Sequence, residues 1–117
     1  MIPLGGGVEV YLALEPVDMR KAMDGLSVLV EDVLGLNPLS GQLFVFGNRR
    51  GDKIKILYWE RNGFWVRYKR LEKGRFQWPR PTDEGVVRIA ERELRWLLEG
   101  LDYERLQGHR RVCFSAL

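Results

Sequence analysis

The sequence predicts an α+β domain: an antiparallel β-sheet meander of about four to five strands packed with two helices, at about 18–34 and 90–99. Three observations predict it. Apolar residues recur at helical spacing after Asp18. Short alternating runs separated by glycine turns fill residues 42–78. A second compact helix-forming run, residues 90–99, ends on Gly100. The 117 residues suit a single domain, with 104–117 a candidate flexible tail.

The elements follow in order. Gly5, Gly6 and Gly7 lead into residues 8–14 (VEVYLAL), whose alternation reads as a strand stopped by Pro16. Asp18 stands where an N-cap is needed. Met19, Ala22, Met23, Leu26, Leu29, Val30, Val33 and Leu34 then fall on one helical face. Gly35 supplies the C′ residue and Pro38 bars continuation. Residues 42–46 (QLFVF) form a strand rich in aromatic and β-branched side chains, and 47–52 (GNRRGD) have hairpin-loop composition. Residues 53–60 and 64–71 alternate on either side of an Asn62-Gly63 turn. Gly74 marks another turn, and 75–78 read as the last strand of a four-stranded meander, ended by Pro79 and Pro81. Residues 86–89 read as a short strand. In the second helix, Leu94, Trp96, Leu97 and Leu98 lie on or near the apolar side, and 102–106 suggest one further helical turn. The first helix is expected to pack on one face of the sheet, with the second beside it.

One hairpin register puts Ile54, Ile56, Tyr58, Phe64, Val66 and Tyr68 on a common core face. It puts Lys53, Lys55, Trp59, Trp65, Arg67 and Lys69 on the opposite face. That register needs an odd number of loop residues, such as three, whereas a two-residue loop mixes the two sets. The odd loop is the expectation because it separates charge from core.

Composition narrows function. No apolar run approaches the roughly 18–20 residues of a membrane helix, and the N-terminus lacks a basic region followed by an apolar one, so no membrane partner and a cytoplasmic location are expected. The one cysteine, Cys113, and the one histidine, His109, cannot assemble a zinc site without several carboxylates; no metal or cofactor is expected. No catalytic residue is assigned. The sole histidine lies in the tail, and no Gly-x-Ser-x-Gly elbow exists; Gly5 to Gly7 precede a strand and lack the Lys-Ser/Thr of a phosphate loop. Asp18, Asp24 and Asp52 are the carboxylates nearest a two-metal nuclease pattern, but Asp18 and Asp24 share a helical face poorly and Asp52 sits among arginines.

Charge is segregated. Residues 49–80 carry eleven of the nineteen basic side chains against three acidic ones, a net of +8, while the remainder of the chain is −5. Seven of the thirteen aromatic residues lie in the same block. Lysine and arginine neutralise phosphates, and adjacent aromatic rings stack on bases. The candidate nucleic-acid contacts are therefore Arg49, Arg50, Lys53, Lys55, Arg67, Lys69, Arg70 and Arg75, with Trp59 and Trp65 as stacking or wedging residues. The bland alternative is a solvated charged sheet face whose lysines guard an edge. For the loop itself, the alternative is a plain hairpin turn in which Asp52 pairs with an arginine.

Three stretches, DMRKAMDGL (18–26), LSGQLFVFGNRRGDKIKILYWERNGFWVRYKRLEKGRFQWP (39–79) and LRWLLEGLDY (94–103), together resemble the small accessory protein, usually called TnpB, of insertion sequence 66 transposable elements. This is not the RNA-guided nuclease of the same name. The resemblance spans about residues 8–103. It implies a bacterial protein without an active site of its own that assists transposition beside a separate transposase. The expected partners are DNA, namely transposon ends, and alternatively the transposase of the same element; the sequence does not specify a homo-oligomer. A protein-interaction adaptor is thus the rival to DNA binding, and a metal-dependent nuclease the weakest reading.

Overall fold

The computed structural model describes residues 6–100. The expected turn at 102–106, His109, Cys113 and the rest of the tail lie outside the described residues.

Five strands form one mixed sheet: β1 (Val10–Ala13), β2 (Leu43–Gly47), β3 (Lys53–Glu60), β4 (Gly63–Arg70) and β5 (Val86–Ile89), in the order β4-β3-β2-β1-β5. The β2-β3-β4 portion is the expected antiparallel meander. β1 runs parallel to β2 and antiparallel to β5. A parallel pair needs a crossover, and α1 (Met23–Val28), extended by a π-helical turn at Leu29–Val33, lies in that connection. α2 (Glu91–Glu99) follows β5.

Alternation places a core on each face of the sheet. Leu43, Val45, Ile54, Ile56 and Tyr58 pack with Leu94 and Leu97 of α2. Phe44, Phe46 and Leu57 pack with Leu26 and Val30 on the other side. This explains why every residue of β2 is buried: a central strand covered twice reads as continuously apolar. Each fully buried side chain of this kind, such as Phe46 or Leu57, contributes about 1.5–3 kcal/mol relative to exposure. The two helices therefore lie on opposite faces, not side by side as expected.

Three further expectations are corrected. Asp18 does not cap α1. Its carboxylate accepts from the Arg20 backbone N–H at 2.9 Å and from the Arg20 guanidinium at 2.7 Å. This local bonding holds a turn in place of a helix start, and α1 begins after Ala22, which has no side chain to cap with. At the other end Gly35 adopts φ +68°, as a C-terminal glycine should.

Residues 75–78 do not form a fourth meander strand. Arg75 makes an isolated bridge, and the Phe76 N–H donates to the Gly51 carbonyl at 2.8 Å. The chain then turns across the sheet end. The Trp78 indole lies over Gly47, 2.9 Å from where a Cβ would stand, and its Nε1 donates to the Ala13 carbonyl at 2.9 Å. Pro79 and Pro81 have no N–H to offer a ladder.

The β3–β4 hairpin has a two-residue loop, Arg61-Asn62, with Glu60 opposite Gly63 and Lys53 opposite Arg70. The Asn62 N–H donates to the Glu60 carbonyl at 2.7 Å, closing a tight turn around Arg61 at φ +58°. The register is thus the mixing one. Ile54, Ile56 and Tyr58 share a face with Lys69, Arg67 and Trp65; Lys53, Lys55, Leu57 and Trp59 share the other with Arg70, Tyr68, Val66 and Phe64. The odd loop presumed one core face and one solvent face. With a core on both faces, charge escapes at the edge strand β4, whose last three residues are exposed.

Candidate nucleic-acid interface

The mixing register divides the candidate residues into three groups. Arg49, Arg50, Lys53, Arg70 and Arg75 gather at one end of the sheet, around the 48–52 loop that joins β2 to β3. Lys53 faces Arg70 across the hairpin, and the Arg75 side chain packs 3.6 Å from where a Cβ on Gly51 would stand. Trp59 and Trp65 sit near the opposite end of the same hairpin, roughly 20 Å away at ~3.3 Å per residue. Trp59 meets Phe64 edge-on at 5.1 Å, and Trp65 stacks on Tyr58 at 6.4 Å while donating to Glu60 at 3.0 Å. The expected single face shared by cations and tryptophans is not formed.

The third group has structural work. Lys55 Nζ donates to the carbonyls of Met19 and Lys21, each at 2.8 Å, tying the segment before α1 to the sheet. Lys69 Nζ donates to the Leu98 carbonyl at 2.6 Å, satisfying an end of α2. Arg67 is half-buried in mid-strand opposite Ile56. Arg70 also forms an exposed pair with Glu72 at 3.1 Å.

The loop is built on Asn48. Its Oδ1 accepts from the backbone N–H groups of Gly51, Asp52 and Lys53 at 3.1, 3.1 and 3.0 Å. Its Nδ2 donates to Asp52 Oδ1 at 2.7 Å. Asparagine favours such bonding to the backbone that follows it, and Gly51, at φ +79°, lets the chain turn there. The result is a pinned turn with Arg49 and Arg50 exposed at its tip. Asp52 bonds to Asn48 rather than to an arginine. That bond holds its carboxyl below the ordinary carboxylate range, with Arg50 and Lys53 adding to the effect. Among the described residues neither Arg49, Arg50 nor Lys53 forms an ion pair.

A concavity opens on each side of this loop. One, of about 580 Å³, lies toward the 16–20 segment and includes Arg20, Lys53 and Tyr68. The other, of about 390 Å³, lies toward the 75–81 segment and includes Arg75, Trp78 and Arg80. Arg49 and Arg50 border both. The acid of the first, Asp18, is held down to about 2 by the hydrogen bonds it accepts from Arg20. Among the described residues no three His, Cys, Asp or Glu side chains gather as a metal site requires.

This loop and both concavities fall within residues 8–108, which match the family model described as IS66 Orf2 like protein. The chain belongs to the IS66 Orf2-like family. Membership associates it with transposition of insertion sequence 66 elements, as the resemblance implied. The chain is similar to the protein y4hO of Sinorhizobium fredii (strain NBRC 101917 / NGR234), 39% identical over 107 residues covering 92% of each chain. It is also similar to y4jC of the same strain, 36% identical over 107 residues covering 92% of this chain and 91% of that one. No solved structure matches it. Among the described residues no helix is long and apolar enough to cross a membrane.

In this IS66 Orf2-like chain, sequence reasoning missed Asn48 and Tyr68. Asn48 carried a usable signal, an asparagine three residues before Gly-Asp in a turn. The odd-loop register puts Tyr68 in the core; the two-residue loop brings it beside Lys53 and the 48–52 loop, 54% exposed.

Proposed function

We propose that this protein is a non-catalytic accessory factor of bacterial DNA transposition that binds DNA, at the transposon ends, through the cationic end of its sheet. The observation that carries the reading is the Asn48-pinned loop, which holds Arg49 and Arg50 outward with no carboxylate of the described residues paired to them. Lys53, which likewise forms no ion pair among the described residues, extends the same charge along β3, beside Arg70 with its partner Glu72 and beside Arg75. Such a surface suits phosphate: each neutralised phosphate releases condensed counterions, and a pinned loop loses little entropy on contact. The non-catalytic part of the reading rests on the nearest carboxylates being engaged, Asp18 by Arg20 and Asp52 by Asn48.

Equilibrium binding to transposon-end and random duplexes, in a salt series, tests it. The affinity of wild type should fall steeply between about 50 and 200 mM salt, and Arg49→Ala/Arg50→Ala should flatten the log–log slope by about 2. Affinity indifferent to salt, or a double variant with the wild-type slope, sinks the reading. A second reading, an adaptor for the transposase of the same element, draws on the exposed Val28, Val33 and Leu39 near α1. Capture of purified transposase that survives nuclease treatment would favour it.

A further inference from the structure

The 580 Å³ concavity between the 16–20 segment and the arginine loop has the composition of a nucleotide site, and its size falls in the range of small-molecule pockets. Cations line one part of it: Arg49, Arg50 and Lys53, none ion-paired among the described residues. Arg20 lines it too, but its charge is matched by Asp18 at 2.7 Å. The remaining polar wall is Asn48, whose side chain is occupied in holding the loop. The aromatic wall is Tyr68, which projects from the edge strand with more than half its surface open. Lys55 Nζ stands 5.5 Å from the centre of that ring, over one face, and is itself fixed by the carbonyls of Met19 and Lys21. The ring is thus backed on one side by an anchored cation.

We infer that this pocket takes an unpaired nucleotide of a DNA strand, with its base stacked on Tyr68 and its phosphates on Arg49, Arg50 and Lys53. The inference rests on the DNA-binding reading and narrows it, because a base stacked inside a helix cannot offer its face to a side chain. Single-strand sites elsewhere combine the same two parts, a cationic track and an aromatic platform. A frayed or overhanging DNA end would bind better than a sealed duplex. Trp65, on the same strand but the opposite face, does not enter the pocket and serves as the control aromatic residue.

Fluorescence anisotropy with three probes tests this: a blunt duplex, the same duplex with a single-stranded overhang, and the overhang strand alone. Wild type is expected to prefer the overhang and the single strand. Tyr68→Ala should weaken both by about tenfold while leaving the blunt duplex within about twofold, and Tyr68→Phe should retain the preference. Trp65→Ala should bind all three like wild type. Thermal melts of each variant verify that the exposed substitutions leave the fold intact. Equal loss by Tyr68→Ala on all probes, no loss on any, or a loss in Trp65→Ala instead, overturns the pocket while leaving duplex binding standing. Failure of wild type to bind any probe overturns the DNA reading itself.

Discussion

Asn48 Nδ2 donates to Asp52 Oδ1 at 2.7 Å, across the turn whose tip carries Arg49 and Arg50. The same asparagine side chain accepts from three successive backbone N–H groups. Asn48 is therefore the positioning residue for both arginines without being charged itself. Asn48→Ala leaves those donors and Asp52 without their partner, and should cost about 1–3 kcal/mol of stability. DNA affinity should fall as well, although no positive charge has been removed. Urea unfolding and the salt-series binding assay together check this. An Asn48→Ala protein of lower stability but unchanged affinity would mean that the arginines do not need a fixed turn.

Element existence was legible because periodicity carries it. The alternation of 53–60, the aromatic-rich run before Gly47 and the amphipathic 90–99 segment all became the expected elements. What failed depended on contacts distant in sequence. Whether Lys55 and Lys69 face phosphate or backbone is decided by carbonyls 29 to 36 residues away. Nothing local marks those carbonyls. The fate of 75–78 turned on Trp78 finding Gly47 and Ala13, the latter 65 residues away. The hairpin register differs for another reason: the odd loop suits a sheet with one buried face, whereas α1 and α2 cover both. The charge cluster itself was legible as composition, but its separation from Trp59 and Trp65 required the register.

Arg61 offers a test of location against charge. It belongs to the same basic block as Arg49 but sits in the β3–β4 turn, at the far end of the hairpin, with φ +58°. A non-glycine residue in that region carries roughly 1–2 kcal/mol of strain, part of which glycine returns as unfolded-chain entropy. Arg61→Gly should thus stabilise the protein by about 0.5–1 kcal/mol. It removes one positive charge, yet DNA affinity should stay within about twofold of wild type, against the larger loss for Arg49→Ala. Equal losses for the two variants would show that net charge alone, and no particular surface, drives binding.

Gly47 is constrained by packing rather than by its backbone angle. A Cβ there would stand 2.9 Å from Cη2 and Cζ3 of Trp78. That ring is held by its hydrogen bond to Ala13, and the Gly47 carbonyl accepts from the Val17 N–H at 2.8 Å, so neither partner moves freely. Gly47→Ala should destabilise by about 1–3 kcal/mol, the usual range for overpacking. Pairing it with Trp78→Leu should recover part of the loss, since the smaller side chain makes room. Chemical denaturation of the single and double variants gives the coupling directly; strict additivity would contradict this contact.

Acid stability follows from two carboxylates near the loop. Hydrogen bonds from Arg20 hold Asp18 down to about 2, from an ordinary 3.8, and the bond from Asn48 lowers Asp52 in the same direction. A carboxyl with a depressed folded pKa stabilises the protein in its ionised form. That contribution is complete above the unfolded value near 3.8 and is lost as pH falls toward the folded value near 2. Asp18 is exposed and Asp52 only half-buried, so solvent screens the pairs and each effect is small. The melting temperature of wild type should therefore drop between about pH 4 and pH 2, and the drop should be shallower in Asp18→Asn, which has no proton to gain there. Asp52→Asn should show the same flattening, from a lower starting temperature at neutral pH because its bond with Asn48 is weakened. Melting curves at pH 6, 4, 3 and 2 for the three proteins measure the differences. An Asp18→Asn curve parallel to wild type would remove the Asp18–Arg20 pair from the forces that shape the loop's neighbouring wall.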